Sequence, residues 1–324
     1  MVAAQNLWLH DALFNAFMKN GFSKINGNKS WEITDLQILF LTPDLSKGFL
    51  QLTELPIYKN QAFDLEIKMI NENAKKIANE IGNEPFNLVD IWCGSGLKAV
   101  EFVKALNKAS GKNLEINYCP VNASSYLSDL AIDNVKKANL PNKISYRAFL
   151  SSGDGSVMRD IGKEIRKEGH KKNVLLLLGT VLACYEINSY LFEISREMKK
   201  GDILVLGNGV RFGERLVEID KYKNKAFHDW FKHLIYGMGI DEKDVEFDVR
   251  FGNSRVEFFY KIKKAYSTKV NGKMIVLSPG DELVVAVLYK YFSYEFENFC
   301  NLYFEHYDMN LNKDGGYALV TCVK

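Results

Sequence analysis

The sequence predicts a protein of the α/β class, with a parallel sheet at its centre and a separate α+β lobe. Short apolar runs alternate with amphipathic helical stretches between Phe86 and Val210, which is the pattern of successive βαβ units. The four leucines at 175–178 indicate a central strand that is buried on both faces. Before residue 61 and from 211 to 285 this alternation is absent, and that change predicts the second lobe.

The alternating block divides into strands and helices in turn. The strand candidates are short and apolar, and they are Phe86–Trp92, Leu114–Val121, Ile144–Leu150, Val174–Thr180 and Ile203–Val210. The helix candidates carry apolar residues at helical spacing, and they are Lys98–Lys108, Ser124–Ala138, Val157–Gly169 and Asn188–Lys200. In the second of these helices Leu127, Leu130, Ala131 and Val135 fall on one face, as in a helix that packs against a sheet.

The rest of the chain predicts a different arrangement. Residues 61–81 form a helix candidate, and Pro43 and Pro56 interrupt the mixed segment before it. Between 211 and 285 an aromatic helical stretch around Trp230 precedes two runs of alternating apolar residues, 245–249 and 256–260. Residues 303–311 and 317–323, joined by a turn at 312–316, predict a final hairpin.

Composition and charge exclude several classes of protein. The chain has 324 residues, of which 47% are hydrophobic and 25% charged, as in soluble globular proteins. At about 150 residues per domain this length predicts two domains or one large one. The formal net charge of +2 gives no bulk attraction to nucleic acid or to an anionic membrane, so we expect neither as a partner.

The location predicted from the sequence is the cytoplasm. We see no secretory signal at the amino terminus, and the longest apolar run, Val174–Tyr185, is too short to span a bilayer. The five cysteines are widely spaced and form no CxxC pair, which predicts reduced thiols and no zinc site.

A glycine-containing turn follows the first strand of the alternating block. In NLVDIWCGSGLKAVEFV, residues 87–103, Gly94 and Gly96 lie between a strand that ends near Asp90 and a helix. Glycine permits positive φ and close approach of a ligand, and the helix amino terminus offers unpaired N–H groups. This is the layout of a nucleotide pocket at the carboxyl edge of a parallel sheet. It matches neither G-x-G-x-x-G nor the P-loop, so a tight turn without a ligand is the alternative.

Six segments follow one another in the order of a known family. They are LTELPIY (52–58) with Glu66 after it, D-x-x-C-G-x-G (90–96) with Lys98, CPVNASSYLSDLA (119–131), LLLLGTVLACYEINSYLFEISREMKKGDILVLGNGV (175–210), SRVEFFY (254–260) and PGDELVVAVLYKYF (279–292). The second segment resembles motif I of class I methyltransferases that use S-adenosylmethionine (SAM). Together they resemble the histidine-specific Nα-methyltransferases of the ergothioneine-pathway type, and the chain is identified as a divergent member of that superfamily.

The resemblance implies a Rossmann-like class I methyltransferase sheet with a second α+β substrate-binding domain. The SAM-binding domain would comprise residues 66–210 and 286–324, and the substrate-binding domain 1–65 and 211–285. The reaction would be methyl transfer from SAM to the amine of a small amino-acid-like molecule, which depends on positioning and on a deprotonated amine. No catalytic residue is assigned. The resemblance places the cofactor against Trp92, Cys93, Gly94, Ser95, Gly96, Lys98, Asn122, Gly179 and Thr180.

The cofactor segments depart from the family pattern at three places. Asn122 stands where the family has the acid that accepts hydrogen bonds from the ribose, so a charge-assisted bond is lost. The acid expected at the end of the third strand is missing near Phe149–Ser151, and Asp154 is the candidate substitute. Trp92 replaces a small residue beside the expected methionine moiety, where an indole would either block SAM or stack against another group.

The acceptor segments depart further. The resemblance implies that the acceptor lies against Tyr58, Cys184 and Glu257. Cys184 replaces the Asn of the family segment GSTIGN, and Gly209 replaces the Asp of GVD. Ala286 and Leu288 replace the Glu and Ser that recognise the imidazole of histidine in the family. Such a pocket would leave the imidazole nitrogens unpaired, so we do not expect histidine as the acceptor.

Each of these side chains also has a purely structural interpretation. Tyr58 follows a proline turn and could equally be a packing aromatic. Glu257 alternates with apolar neighbours, which favours an outward, solvated strand position. Lys98 in the first turn of a helix could face water. Cys184 has no basic residue beside it in sequence, which favours a buried structural thiol.

Three functions are compatible with these segments. The first is a SAM-dependent methyltransferase that acts on a small amine or amino-acid-like molecule. The second is a catalytically inactive pseudo-methyltransferase that binds a ligand or a protein, which Trp92, Asn122 and the missing strand-three acid favour. The third is a different transfer reaction from SAM in the same cleft. Copurified S-adenosylhomocysteine would separate the first and third functions from the second.

Overall fold

The chain folds into two compact units, each assembled from two segments of the sequence. A computed structural model describes residues 2–33, 35–153, 155–166, 170, 172–179, 181–211 and 219–324. Unit 1 comprises Met1–Thr53 and Leu216–Tyr289, and unit 2 comprises Glu54–Arg215 and Lys290–Lys324. The assignment of one unit to the cofactor and the other to the acceptor stays a prediction.

The helices and strands are numbered in chain order. The helices are α1 Val2–Asn20, α2 Pro43–Glu54, α3 Pro56–Tyr58, α4 Asp64–Ile81, α5 Leu97–Ser110, α6 Ser125–Lys137, α7 Val157–Ile165, α8 Ile187–Glu197, α9 Lys225–Gly237 and α10 Ser293–Tyr303. The strands are β1 Phe22–Ile25, β2 Asn28–Glu32, β3 Phe86–Ile91, β4 Ile116–Asn122, β5 Ile144–Tyr146, β6 Phe149–Leu150, β7 Lys172–Leu177, β8 Ile203–Gly209, β9 Val245–Gly252, β10 Arg255–Ile262, β11 Tyr266–Val270, β12 Lys273–Leu277, β13 Glu282–Tyr289, β14 His306–Leu311 and β15 Tyr317–Val323.

Unit 2 is built on a sheet of mostly parallel strands. Its strand order is β14-β15-β8-β7-β3-β4-β5, and β6 also pairs with β4. The pairs from β8 to β5 are parallel, and β15 runs antiparallel to both β8 and β14. The chain runs outward from β3 through β4 in one direction and from β7 through β8 in the other. The carboxyl ends of β3 and β7 therefore flank a topological switch point, where open α/β sheets bind ligands.

Helices α4, α5 and α6 share one hydrophobic core with this sheet. Ile70 of α4 and Phe102 of α5 are fully buried in a cluster that includes Leu88 of β3 and Leu176 of β7. A fully buried side chain of this size contributes about 1.5–3 kcal/mol by leaving water. This packing fixes the start of α5 at the carboxyl end of β3, which positions the glycine turn.

The third predicted strand is interrupted. Residues 144–150 form two short strands, β5 and β6, which pair with residues 116–118 and 121–122 of β4. Between them Pro120 lies in β4, and proline has no N–H to donate to a neighbouring strand. The carbonyls of Tyr118 and Asn122, on either side of it, accept hydrogen bonds from Arg147 and Ser151. The missing donor explains why one continuous strand was the wrong prediction.

Unit 1 contains a five-stranded sheet in the order β1-β2-β13-β10-β9 and a separate hairpin, β11–β12. Its pairs are antiparallel except β2 with β13. The buried face of α9 carries Trp230, Phe231 and Leu234. At Gly237 a Cβ atom would collide with the side chain of Leu9, so glycine is what allows α1 and α9 to approach closely at this point.

Most predicted elements are confirmed. The other four predicted strands correspond to β3, β4, β7 and β8, and the final hairpin is β14–β15. The helix predicted over 61–81 begins at Asp64, after a π-helical turn over Lys59–Phe63. The helix predicted over Val157–Gly169 is seen to Ile165, and residues 167–169 lie outside the described residues. Among the described helices, none combines the length and apolar character needed to cross a membrane.

Candidate functional site

The glycine turn joins the carboxyl end of β3 to the start of α5. Trp92, Gly94 and Gly96 all have left-handed backbone, with φ of 58°, 53° and 74°. A Cβ on Gly96 would lie 2.8 Å from the Cα of Ala131 in α6, so both the backbone conformation and helix packing require glycine there. The turn brings the amino terminus of α5 to the sheet edge, where its N–H groups favour an anionic ligand group.

A buried ion pair lies beside this turn. Glu66 of α4 is fully buried, and its Oε2 lies 2.5 Å from Nζ of Lys98 in the first turn of α5. The N–H of Gly179, just after β7, donates to Oε1 of Glu66 at 2.7 Å. The hydroxyl of Tyr317 in β15 is hydrogen-bonded to the same oxygen. One carboxylate therefore ties together α4, α5 and the carboxyl end of β7.

Gly207 and Gly179 have no side chain, and this leaves room for the Glu66–Lys98 ion pair. A Cβ on Gly207 of β8 would collide with Oε1 of Glu66, and a Cβ on Gly179 would lie 2.9 Å from Nζ of Lys98. Burial alone would lower the pKa of Lys98, but the Glu66 carboxylate outweighs burial and the pKa is raised. Lys98 is therefore a cation held at the sheet edge, and the water-facing alternative for Lys98 is wrong because its side chain is only 17% exposed.

A second buried carboxyl group lies in β3. Asp90 is 4% exposed, and the hydroxyl of Tyr118 in β4 donates to its Oδ2 at 2.7 Å. Burial raises the pKa of Asp90 to about 7, against the opposing effects of the Tyr118 hydrogen bond and of Lys98. Near neutral pH this carboxyl group is therefore divided between its neutral and charged forms, and a cation bound nearby would favour the charged form.

The Trp92 indole is held by the segment after β6. Its Nε1 donates to the hydroxyl of Tyr185 at 3.0 Å, and that hydroxyl is 3.4 Å from the carbonyl of Ser152. A Cβ on Gly153 would collide with the indole. The hydroxyl of Tyr190 donates to the carbonyl of Gly153 at 3.1 Å. Trp92 is therefore a packed, 7% exposed side chain with a fixed orientation.

The other predicted cofactor residues lie around the same turn. Asn122 ends β4 and is buried, and its Oδ1 accepts a hydrogen bond from the Ser124 N–H at 2.9 Å. The carbonyl of Ser95 accepts from Asn134 of α6 at 2.9 Å. Burial raises the pKa of the Cys93 thiol well above its usual range, so it is neutral. Thr180 and Asp154 lie outside the described residues.

Tyr58 lies close to Lys98, Glu66 and Cys184. Burial raises the pKa of Tyr58, and the charges that act on it are Lys98, Glu66 and Cys184. Cys184 ends a 3-10 turn after β7, and burial raises its pKa to about 12 although Lys290 lowers it. At neutral pH both groups carry protons and no charge, so neither is a ready base or nucleophile.

Glu257 lies in unit 1, and the prediction that it faces solvent is wrong. It is 5% exposed. Its carboxylate accepts from Nε of Arg250 at 2.6 Å and from Nε of Arg255 at 2.8 Å. The alternation along β10 correctly separates Glu257 from Val256 and Phe258. However, the two arginines and the apolar residue Phe259 make its face of the sheet a buried one as well.

The structure brings the glycine turn, Lys98, Gly179, Tyr58 and Cys184 together at one edge of the unit 2 sheet. Three further residues in this cluster are Glu66, Asp90 and Tyr317, which were not among the predicted site residues. Asp90 carried a detectable signal, because it is a carboxylate inside an otherwise apolar strand. Glu66 carried a weaker one, as a charge in an amphipathic helix. Tyr317 carried none, since its partner Glu66 is 251 residues away.

The chain matches one family model and is similar to several solved structures. The model of a family described as "Histidine-specific methyltransferase, SAM-dependent" matches residues 45–322. Among solved structures, a SAM-dependent methyltransferase from Clostridium acetobutylicum is similar at 11% identity, with 86% of this chain and 98% of that chain covered and a TM-score of 0.41. The PH0226 protein from Pyrococcus horikoshii is similar at 12% identity, 87% and 100% coverage and a TM-score of 0.42. No curated protein matches the chain.

Proposed function

Because the chain belongs to the SAM-dependent, histidine-specific methyltransferase family, we propose that it transfers a methyl group from SAM to the amine of a small amino-acid-like molecule other than histidine. The observation that carries this proposal is the left-handed turn at Gly94–Gly96. It stands at the carboxyl end of β3, beside the Lys98–Glu66 pair and the buried Asp90.

The residues at this edge suit the charges of SAM. The first turn of α5 and the Lys98 ammonium would hold the carboxylate of the methionine moiety. Asp90 would face the cationic groups of SAM, and their positive charge favours the ionised form of its carboxyl group. Asn122 would meet the ribose with an amide in place of a carboxylate, and its Oδ1 is shared with the Ser124 N–H. When bound, SAM supplies an electrophilic methyl group.

The contribution of the chain to the reaction is then positioning. Tyr58 and Cys184 are neutral at physiological pH, so neither competes with the acceptor amine as a nucleophile. The amine would reach the site deprotonated, since amine attack on a sulfonium methyl needs little further acid–base help. The Lys98 charge favours the neutral form of an amine placed near it, because like charges disfavour each other.

The exclusion of histidine rests on lost hydrogen-bonding groups. Cys184, Ala286 and Leu288 stand where the family pattern has polar residues. A buried imidazole without partners for its nitrogens would lose affinity, because an unpaired buried polar group costs about 1–3 kcal/mol. Histidine is therefore the control acceptor rather than the expected one.

A catalytically inactive binding protein is the second candidate. Two observations favour it. Trp92 stands where the family pattern has a small residue, and its indole is fixed against Gly153. The Oδ1 of Asn122 accepts a hydrogen bond from the Ser124 N–H. A different transfer reaction from SAM in the same cleft is the third, and it shares the cofactor with the first.

Calorimetric titration with SAM and with S-adenosylhomocysteine tests the proposal. We expect micromolar binding to the wild-type protein and none to Gly94→Val, because a β-branched residue is strained at φ 53° and would distort the turn. Gly111→Val is the matched control, since Gly111 ends the same helix at φ 66° with open space around it. Equal binding by Gly94→Val would refute the site assignment.

The wild-type result separates the candidate functions. If neither ligand binds at millimolar concentration while the protein is folded, the inactive binding protein is the correct candidate. If they bind, a screen of amines and amino acids with radiolabelled SAM identifies the acceptor. Methyl transfer to histidine at the highest rate would contradict the proposed specificity.

A further inference from the structure

The Trp92 indole connects segments on both sides of β3. Strand β3, which ends just before Trp92, lies between β4 and β7 in the unit 2 sheet. On the β4 side the indole packs against Gly153, which follows β6, the short strand paired with the carboxyl end of β4. On the β7 side its Nε1 donates to the hydroxyl of Tyr185, between β7 and α8. The indole therefore crosses the carboxyl end of β3, beside the topological switch point where open α/β sheets bind ligands.

Two tyrosines hold the indole in this position. The hydroxyl of Tyr185 also lies 3.4 Å from the carbonyl of Ser152, so it links the indole to the segment after β6. The ring of Tyr190 packs beside that of Tyr185, with their centroids 4.7 Å apart, and its hydroxyl donates to the carbonyl of Gly153 at 3.1 Å. Trp92, Tyr185 and Tyr190 thus form an aromatic bridge over the end of β3.

Opening of this aromatic bridge would leave the sheet intact. The N–H of Trp92 donates to the carbonyl of Val121 in β4 at 2.8 Å, so strand pairing fixes the backbone from which the indole projects. The described contacts that close the bridge are neutral hydrogen bonds and ring packing, which are weaker than bonds to charged groups. Rotation of the indole about its side-chain bonds would release Tyr185 while β3 and β4 stay paired.

We propose that the aromatic bridge is a gate, closed in this structure, that opens to admit the cofactor. This inference rests on the proposed methyltransferase function and adds a control of its cofactor site. The proposed function places SAM over the end of β3, beside Gly94 and Gly96, so the indole and the cofactor compete for space there. A protein that is mostly closed binds its ligand with an apparent affinity reduced to the open fraction. Trp92 is then a movable barrier rather than a permanent plug.

Calorimetric titration of bridge variants with S-adenosylhomocysteine tests the gate. Tyr185→Phe removes the hydroxyl and keeps the ring against Tyr190. It should bind roughly 2- to 10-fold more tightly than the wild type, because the closed state loses one neutral hydrogen bond. Trp92→Gly removes the indole at a φ of 58° that glycine adopts freely, and it should bind at least as tightly as Tyr185→Phe. Tyr294→Phe is the control, since it makes the same change on an exposed ring.

Stopped-flow tryptophan fluorescence measures the opening step. The Trp92 indole is 7% exposed, and it should gain contact with water as the bridge opens, so emission changes on binding and Trp92→Phe loses this change. In the wild type the observed rate should level off at high S-adenosylhomocysteine concentration, because the conformational step then limits binding. Tyr185→Phe should raise this limiting rate, since it removes a hydrogen bond that opening must break.

The outcomes are distinct. Tighter binding by Tyr185→Phe and Trp92→Gly, with a raised limiting rate in Tyr185→Phe, supports the gate. Wild-type affinity in both variants overturns it. Weaker binding by both also overturns it, because the indole would then be a wall that contacts the cofactor. Either of these results leaves the proposed function intact. If S-adenosylhomocysteine binds to none of the proteins while circular dichroism shows them folded, the proposed function and the gate are both refuted.

Discussion

Neutralising Glu66 is the perturbation whose effect the structure defines best. In Glu66→Gln the side chain keeps its shape and one acceptor oxygen for the Gly179 N–H. In the wild type this N–H donates to Oε1 of Glu66 at 2.7 Å. It loses the charge that faces Nζ of Lys98 at 2.5 Å. The Lys98 ammonium, at 17% side-chain exposure, is then left without this counter-charge.

The expected cost is about 3 kcal/mol in the free energy of unfolding of unit 2. Removing one partner of a buried ion pair costs about 3–5 kcal/mol, and we take the lower end because Lys98 retains some contact with water. The double variant Glu66→Gln with Lys98→Met removes the stranded charge as well. It should recover ~1 kcal/mol of the loss, within the ~0.5–3 kcal/mol by which residues of one salt bridge couple.

Urea unfolding at pH 7, combined with hydrogen exchange of peptides from each unit, measures this effect. Exchange is needed because two units need not unfold in one transition. Glu72→Gln is the control: Glu72 lies in the same helix and pairs with Lys68 at 3.8 Å, but both side chains are more than half exposed. Such a pair contributes only ~0.2–0.5 kcal/mol.

Two results would refute the reasoning. If Glu66→Gln lost no more stability than Glu72→Gln, the pair would not be a buried charge interaction. If the double variant were no more stable than Glu66→Gln alone, the loss would come from hydrogen bonds to the carboxylate rather than from the ammonium.

Three other predictions follow from the same part of the molecule. Because the pKa of Asp90 is raised to about 7, the native state holds a proton that the unfolded chain has lost above pH ~4, and the free energy of unfolding therefore falls as the pH rises from 4 to 7. Asp90→Asn should remove most of this slope, and an unchanged slope in urea titrations at several pH values would contradict the prediction. Gly153→Ala should lower Tm more than Gly82→Ala, since both have left-handed φ but only Gly153 abuts Trp92; equal Tm values would count against the packed indole. Cys184, with a pKa of about 12, should react with iodoacetamide at pH 8 far more slowly than a free thiol, and rapid labelling seen by mass spectrometry would contradict the raised pKa.

The parallel sheet was predictable because its signal is local. Strands β3, β4, β7 and β8 are short apolar runs that alternate with helical stretches, which is the pattern of βαβ units in a parallel sheet. The glycine turn was predictable for the same reason, since Gly94 and Gly96 are two residues apart and their freedom at positive φ is a property of glycine itself.

The ion pair was not predictable from local sequence. Glu66 and Lys98 belong to different helices, and the Gly179 N–H that completes the carboxylate's contacts is 113 residues from Glu66. Only the fold brings these groups to one sheet edge. Glu66 carried a hint as a charge within an amphipathic helix, but the pattern does not tell an interface carboxylate from a solvated one.

The error at Glu257 has a different origin. A period of two tells which residues share a face of a strand, and that part of the prediction held for Val256 and Phe258. It does not tell whether the opposite face meets water. In unit 1 the opposite face is covered by the side chains of Arg250 and Arg255, which pair with Glu257, so an alternating strand is buried on both faces.

The contacts of Glu66 also set an order of events during synthesis. Its partner Lys98 follows within the same first segment of unit 2, whereas Tyr317 is made 251 residues later. At about 5–20 residues per second this delay is roughly 13–50 s. Through that interval the ribosome makes the second segment of unit 1, between the two halves of unit 2. A carboxylate that ends fully buried must therefore stay hydrated, or rely on Lys98 and Gly179 alone, until the strand that carries Tyr317 emerges and joins β8.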